Sequence, residues 1–420
     1  MRILRVHNLY RPFGGAEFYL LRTSEALEEM GHEVIIASPD DDPAPFRHPG
    51  RIELTLPRAR GFATGRRALA ALERIIDRHA PDVAIFHTTI GFLTAPVLRG
   101  CARGVPTIKQ VHDARVFCPK TRSKVLPDTD PSENRPRICP YPFGHRCLTR
   151  GCLSEDRRDP LAAGSLVEQA RETLIRWTEL RAFRRLPALL CDSAYIGIEL
   201  ERNGISRDRI HVVGQTIPWP RDTLAPLEPP PARPVIGAVG RWDAVKGMEL
   251  LLDILIEMAP RRDFSARLVG EGPNLGAARE QVRAAGLPER IEILGHVSPA
   301  DIPSLYRGIS ILAFPSLIPE SFGAVGIEAQ AHALPVVAFD AGGVSEWLSV
   351  PDTGILAPFG DRASLRRGLE RLLDDPAEAR AMGERGRERA WRHYEQRAQL
   401  ERYIEILSGV IAREEHRARD

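Results

Sequence analysis

Short apolar runs alternate with stretches of helical periodicity along almost the whole chain, and the pattern begins twice. Ile3 to Val6 precedes a helical stretch from Ala16 to Met30, which Gly31 stops, and the run Val34 to Ala37 follows. A strand, a crossover helix and a second strand pair in parallel, because only antiparallel neighbours can be joined by a tight turn. Further runs at Val83 to Phe86, Thr107 to Val111, Leu189 to Cys191 and Ile210 to Val213 leave room between them for crossover helices. The alternation restarts with Val235 to Val239, Ala266 to Val269, Ile291 to Leu294, Ile309 to Phe314 and Pro335 to Phe339. The expected class is α/β, with two parallel sheets.

Between the two series the chain is dense in proline, including Pro229, Pro230 and Pro231. Proline removes backbone donors and disfavours helix and central strand, so residues 218–234 read as a linker. It would separate a first domain, 1–217, from a second, 235–395. At 420 residues the chain exceeds one typical core, in agreement with two domains. From about Arg389 to Glu415, Tyr394, Leu400, Tyr403, Ile404, Leu407 and Ile411 mark an amphipathic helix, its 396–414 part expected to return to the first domain.

Basic and acidic side chains number 58 and 56, a net charge of +2, too even for a field that would hold nucleic acid. Hydrophobic residues at 43% and charged residues at 27% are the balance of a soluble enzyme, and no long apolar run or leader pattern precedes the first strand. A cytoplasmic location is expected. The stretch Arg171 to Arg185 sets arginines among Leu174, Ile175, Trp177, Leu180 and Phe183; it reads as a helix covering the first domain, with peripheral contact at an inner membrane face as the alternative.

The chemistry gathers where strands end. After the run ending at Phe314 comes a loop with Glu320, then a helix expected to begin near Phe322 and to carry Glu328. Amides of Ser321, Phe322, Gly323 and Ala324 would point out of that helix start, as a diphosphate requires, with Gly323 allowing close approach. Carboxylates beside a phosphate repel it unless they accept hydrogen bonds from hydroxyls of the same ligand, which makes a nucleotide sugar the natural candidate. A capping acid and a solvated helix residue are the plainer readings of Glu320 and Glu328.

Arg241 and Lys246 lie in the loop after the second domain's first strand and would reach one anion, although surface loop residues are the plain alternative. Gly14 and Gly15 precede the first helix, where a ligand would approach its start or an ordinary turn would need them. His112 ends a strand of the first domain, the edge at which open α/β sheets bind ligands, or serves as a structural histidine.

Taken together, these residues resemble retaining glycosyltransferase family 4. The likeness rests on Gly14-Gly15, His112, Gly240-Arg241 with Lys246-Gly247, the turn Gly270 to Pro273, Glu320 with Glu328, and Gly342-Gly343 with Glu346. It implies the GT-B fold, two Rossmann-like domains facing across a cleft. It implies further that Arg241 and Lys246 grip the diphosphate of a nucleoside-diphosphate-sugar donor, with help from amides at Phe322 and Gly323. Glu328 would hold the ribose and Glu320 the transferred sugar, with His112 beside that sugar and Gly15 near the hydroxyl-bearing acceptor. No obligatory catalytic metal is implied, and Asp40 with Asp42, or Asp128 with Asp130, read as loop acids. A nucleotide-sugar epimerase and a non-catalytic nucleotide-sugar-binding protein are the competing functions.

One segment departs from that pattern. Residues 114–154 form a polar insert with Cys118, Cys139, Cys147 and Cys152, for which a structural zinc site would supply order; free thiols and disulfides are the alternatives. Cys101 and Cys191 read as buried.

Overall fold

The structure, a computed structural model, describes residues 1–7, 15–38, 52–56, 62–87, 104–118, 124–126, 135–150, 152, 166–224 and 233–419. The chain divides into two compact units. One comprises 1–123, 141–215 and 397–420; the other comprises 124–140 and 216–396.

The first unit is built on seven strands: β1 (Arg2–Val6), β2 (Glu33–Ser38), β3 (Ile52–Thr55), β4 (Val83–Phe86), β5 (Thr107–Val111), β6 (Ala188–Cys191) and β7 (Ile210–Val212). Their order is β3-β2-β1-β4-β5-β6-β7, with every neighbouring pair parallel. Parallel sheets must be covered on both faces, which is why these strands read as continuous apolar runs. Helices Gly15–Glu29 and Gln396–Arg419 supply one cover, placing Leu20, Leu27, Leu400, Tyr403 and Leu407 against Ile3, Ile36, Ile85, Ile108 and Leu190. Residues from Phe62–His79, Leu166–Phe183 and Ala194–Arg202 form the core on the opposite face. Each fully buried leucine in such a layer contributes about 2 kcal/mol.

The second unit repeats the design with β8 (Val235–Val239), β9 (Ser265–Val269), β10 (Ile291–Gly295), β11 (Ile311–Phe314), β12 (Val336–Phe339) and β13 (Gly354–Ala357). All pairs are again parallel, in the order β10-β9-β8-β11-β12-β13. Ile217, at the end of the expected first domain, and Leu224, within the expected linker, are both buried in this unit's core, while 225–232 lie outside the described residues. Part of the insert belongs here too, since Val125 pairs with Ile138 in an antiparallel bridge and is buried in the same core.

The stretch expected as one terminal helix from about Arg389 is broken. Pro376–Tyr394 ends at Glu395, an extended residue, and Gln396–Arg419 begins anew. Burial explains the break: Trp391 and Tyr394 join the second unit's core, whereas Leu400, Tyr403, Leu407 and Val410 join a core of the first. Among the described residues no helix is long and apolar enough to cross a membrane.

Candidate active site

At the carboxyl edge of the second sheet the loops are bound to one another through their backbones. Gly240 N–H donates to Val269 O, Trp242 N–H to Glu271 O, and Leu317 N–H to Val245 O, each at 2.8–2.9 Å. Gly247 sits at φ +69°, and a β-carbon there would lie 1.9 Å from the Pro315 carbonyl oxygen. No other residue fits, so the loop after β8 can rest directly on the end of β11. The segment around Glu320 is fixed in turn by the loop after β12: Glu320 N–H donates to Ala341 O at 3.0 Å, and Gly343 N–H to Glu320 O at 2.8 Å.

This scaffold brings Lys246 and Glu320 together. Lys246 Nζ donates to Glu320 Oε1 at 2.7 Å, and Ser316 Oγ donates to the same oxygen at 2.6 Å. Glu320 is buried and Lys246 half-buried. Arg241 is not drawn into this pair; it is exposed and bridges to Asp243 Oδ2 at 3.0 Å. The other Asp243 oxygen accepts from the amides of Val245 and Lys246, which shapes the loop.

The helix expected from Phe322 starts two residues later, at Ala324, with Gly323 as its cap at φ +90°. A left-handed residue cannot lie inside a right-handed helix, and the buried Phe322 is held outside it by the Trp347 indole, which donates to its carbonyl at 2.7 Å. Ser321 and Phe322 therefore precede the helix. Amides of Ala324 and Val325 in the first turn have no helical carbonyl behind them, the usual basis of anion binding. Glu328 lies one turn along, accepting from Tyr306 Oη at 3.2 Å.

The carboxyl edge of the first sheet is a row of polar side chains. His87 follows β4, His112 follows β5, and Asp192 follows β6; all three are buried. His87 Nδ1 lies 3.0 Å from His112 Nε2, and His112 Nδ1 lies 3.2 Å from Asp192 Oδ2. Arg5, buried on β1, reaches His87 Nε2 at 3.1 Å. Burial, and then the Arg5 guanidinium, hold the His87 imidazole well below its ordinary range. The Lys109 ammonium donates to the His87 carbonyl. Both ring nitrogens of His112 thus face protein groups, an enclosure its strand-end position does not reveal.

Gly15 opens the first helix, while Gly14, Asp40, Asp42, Asp128, Asp130 and Cys101 lie outside the described residues. The four insert cysteines are divided: Cys118, Cys147 and Cys152 belong to the first unit, Cys139 to the second. Among the described residues no group of three or more His, Cys, Asp or Glu is placed to hold a metal ion, so the proposed zinc site has no cluster to support it. Cys191 is buried in β6. The partners that sequence reading missed, Ser316, Asp243, His87, Asp192 and Arg5, are mostly polar residues at or just beyond strand ends. The rule that singled out His112 finds His87 and Asp192 as well.

Two family models together take in most of the chain: "Glycosyl transferase 4-like domain" matches residues 14–215 and "Glycosyl transferases group 1" matches residues 222–389. The chain belongs to the group 1 glycosyl transferases. Its fold is GT-B, two parallel-sheet Rossmann-like units. A sucrose-phosphate synthase from Thermosynechococcus elongatus superposes with a TM-score of 0.72 at 18% identity, covering 98% of this chain and 100% of that one. Anabaena HepE, solved with UDP, gives a TM-score of 0.69 at 18% identity over 97% of this chain and 100% of its own. Among curated relatives, a 2-deoxystreptamine glucosyltransferase of Streptomyces kanamyceticus is 30% identical over 53% of this chain and 61% of its own length. A D-inositol 3-phosphate glycosyltransferase of Corynebacterium diphtheriae is 36% identical over 36% of each chain. The matches to these two relatives span between about a third and three fifths of the relatives' own length.

Proposed function

We propose that the protein transfers a sugar from a nucleoside-diphosphate sugar to a hydroxyl acceptor, keeping the anomeric configuration. The observation that carries this reading is the Lys246–Glu320 pair, set beside the Gly323-capped helix start. In this pair both side-chain contacts fall on Oε1 of Glu320, so Oε2 is the oxygen offered to a sugar hydroxyl. Lys246 turns toward the diphosphate when it arrives, and Arg241, held only by an exposed ion pair, swings to join it. Such an exposed pair costs about 1 kcal/mol or less to break. First-turn amides complete the anion site, and Glu328 takes the ribose hydroxyls.

In the reaction the bond from the anomeric carbon to the phosphate oxygen breaks, and a bond to the acceptor oxygen forms on the same face. The acceptor proton passes to the departing phosphate oxygen. Charge gathers on that leaving group, where Lys246 and Arg241, once engaged, stabilise the transition state more than the ground state. UDP and UDP-glucose complexes of the Anabaena neighbour, and the glucosyl, kanosaminyl and mannosyl transferases among the relatives, support a nucleotide-sugar donor without choosing the sugar.

The test is acceptor-dependent release of nucleoside diphosphate across a panel of UDP- and GDP-sugars. Glu320→Gln and Lys246→Met should each lower kcat about 10²- to 10³-fold with the fold intact. Unchanged turnover in both variants, or a rearranged nucleotide sugar formed without acceptor, would overturn the reading.

A further inference from the structure

The row of side chains across β1, β4, β5 and β6 allows only one arrangement of its protons. A guanidinium has donors and no acceptor, and an ionised carboxylate has acceptors and no donor. Arg5 stands at one end of the row and Asp192 at the other. Arg5 Nε–H must donate to His87 Nε2, so the proton of the neutral His87 ring is on Nδ1. That proton is then given to His112 Nε2 at 3.0 Å, which leaves the His112 proton on Nδ1, donated to Asp192 at 3.2 Å. The ring planes lie only 10° apart with 5.3 Å between centroids, the edge-to-edge arrangement that an in-plane N–H to N hydrogen bond at 3.0 Å requires.

The ends of the row are themselves anchored. Arg5 Nη1 donates to Leu20 O, Thr23 Oγ1 and Ser24 Oγ on the covering helix, at 3.1, 2.9 and 2.7 Å. Asp192 Oδ2 also accepts from Gln215 Nε2 at 2.9 Å. Other ionisable groups surround the row: His7, itself 3.7 Å from Glu17, and Lys109 act on His87, while Tyr19 packs edge-on to His112 at 5.4 Å. Burial holds the Tyr19 phenol protonated, with Tyr403, Asp192 and Arg5 acting on it more weakly.

We infer that Arg5 and His87 are positioning residues, which act through His112 by fixing its ring orientation and its tautomer and by keeping it uncharged. The inference rests on the reaction proposed above. As the bond to the leaving phosphate breaks, positive charge develops on the sugar ring, and an imidazolium beside it would oppose that charge. A ring whose Nε2 already accepts a hydrogen bond from His87 presents no such cation.

The test reads the tautomers directly, by two-bond ¹H–¹⁵N correlation on the full chain labelled in histidine, with His87→Gln and His112→Gln used to assign signals. Both rings should be neutral with the proton on Nδ1 at pH 7. Arg5→Met should mix the tautomers of both and lower kcat about tenfold or more with little change in donor KM, while Arg5→Lys, which restores a donor, should recover most of both. If Arg5→Met fails to fold, the comparison moves to His87: His87→Leu, which removes both hydrogen bonds of that ring, should scramble the His112 tautomer and lower kcat more than His87→Gln, which keeps one acceptor and one donor. An Nε2–H proton on His112 in the unaltered protein, or scrambled tautomers with unchanged kcat, would overturn the inference. A protein with the expected tautomers and no transfer with any donor would overturn the proposed reaction instead, since the spectra do not depend on it.

Discussion

The carboxyl edges of the two sheets solve one problem in opposite ways. On the first sheet, side chains hold side chains: His112 is buried, with its nitrogens facing His87 and Asp192. On the second, backbone holds backbone, and the charged side chains keep freedom to change partners. Glu320 is fixed through its own amide and carbonyl, and Gly247 lies on Pro315, while Arg241 remains exposed. The difference teaches that rigidity can be placed where a proton must stay put, or beneath charges that must move.

The contrast breaks most visibly at Gly247. A β-carbon 1.9 Å from a carbonyl oxygen cannot be absorbed by a rotamer change, so Gly247→Val should destabilise the second unit by about 3 kcal/mol or more and abolish donor binding. Denaturant unfolding checks this; a shift under 1 kcal/mol would mean the loop is not held through its backbone.

A smaller effect concerns His332, which caps the end of the helix that begins at Ala324. Burial pushes its imidazole down to about 4, with its hydrogen bond to the Glu328 carbonyl opposing the shift. The unfolded chain takes up this proton first, below about pH 6.5. Stability from a neutral His332 is therefore complete above that value and lost as pH falls toward 4, about 3 kcal/mol in all. His332→Phe should flatten that part of the stability profile; an unchanged acid slope would sink the assignment.

The smallest effect is expected at Arg241. Its exposed bridge to Asp243 contributes little to the fold, so Arg241→Gln should leave Tm within about 2 °C and weaken nucleotide-sugar binding about tenfold. Calorimetric titration at two ionic strengths would sharpen the comparison, because a mobile surface cation should show more salt dependence than the buried row of the first unit.

Most of the fold was legible because strands buried on both faces are continuous apolar runs. Two strands escaped, β3 and β13, both at sheet edges. Ile52-Glu53-Leu54-Thr55 alternates with a charge, and Gly354-Ile355-Leu356-Ala357 opens on a residue that weakens strands. Lys246 and Glu320 were legible as candidates from loop position, but their hydrogen bond was not, since it depends on how two loops 74 residues apart pack together. The helix start was misplaced because Phe322 carries helical periodicity that its burial under Trp347 overrides. His112 was found without the groups that enclose it, because His87 and Asp192 come from the ends of two other strands, 25 and 80 residues away in sequence.

The division of the chain has a practical consequence for anyone who would rearrange it. Residues 124–140 count with the second unit although first-unit sequence flanks them, and 397–420 count with the first although they follow the second. Neither unit can be excised whole by a single cut in the gene. A chimera exchanging only 216–420 with a relative would bring a foreign final helix to Leu20 and Ile85 and leave the core that receives Val125 to meet a stranger. Exchanging the second unit whole means moving two pieces at once, 124–140 and 216–396, and exchanging the first means moving three.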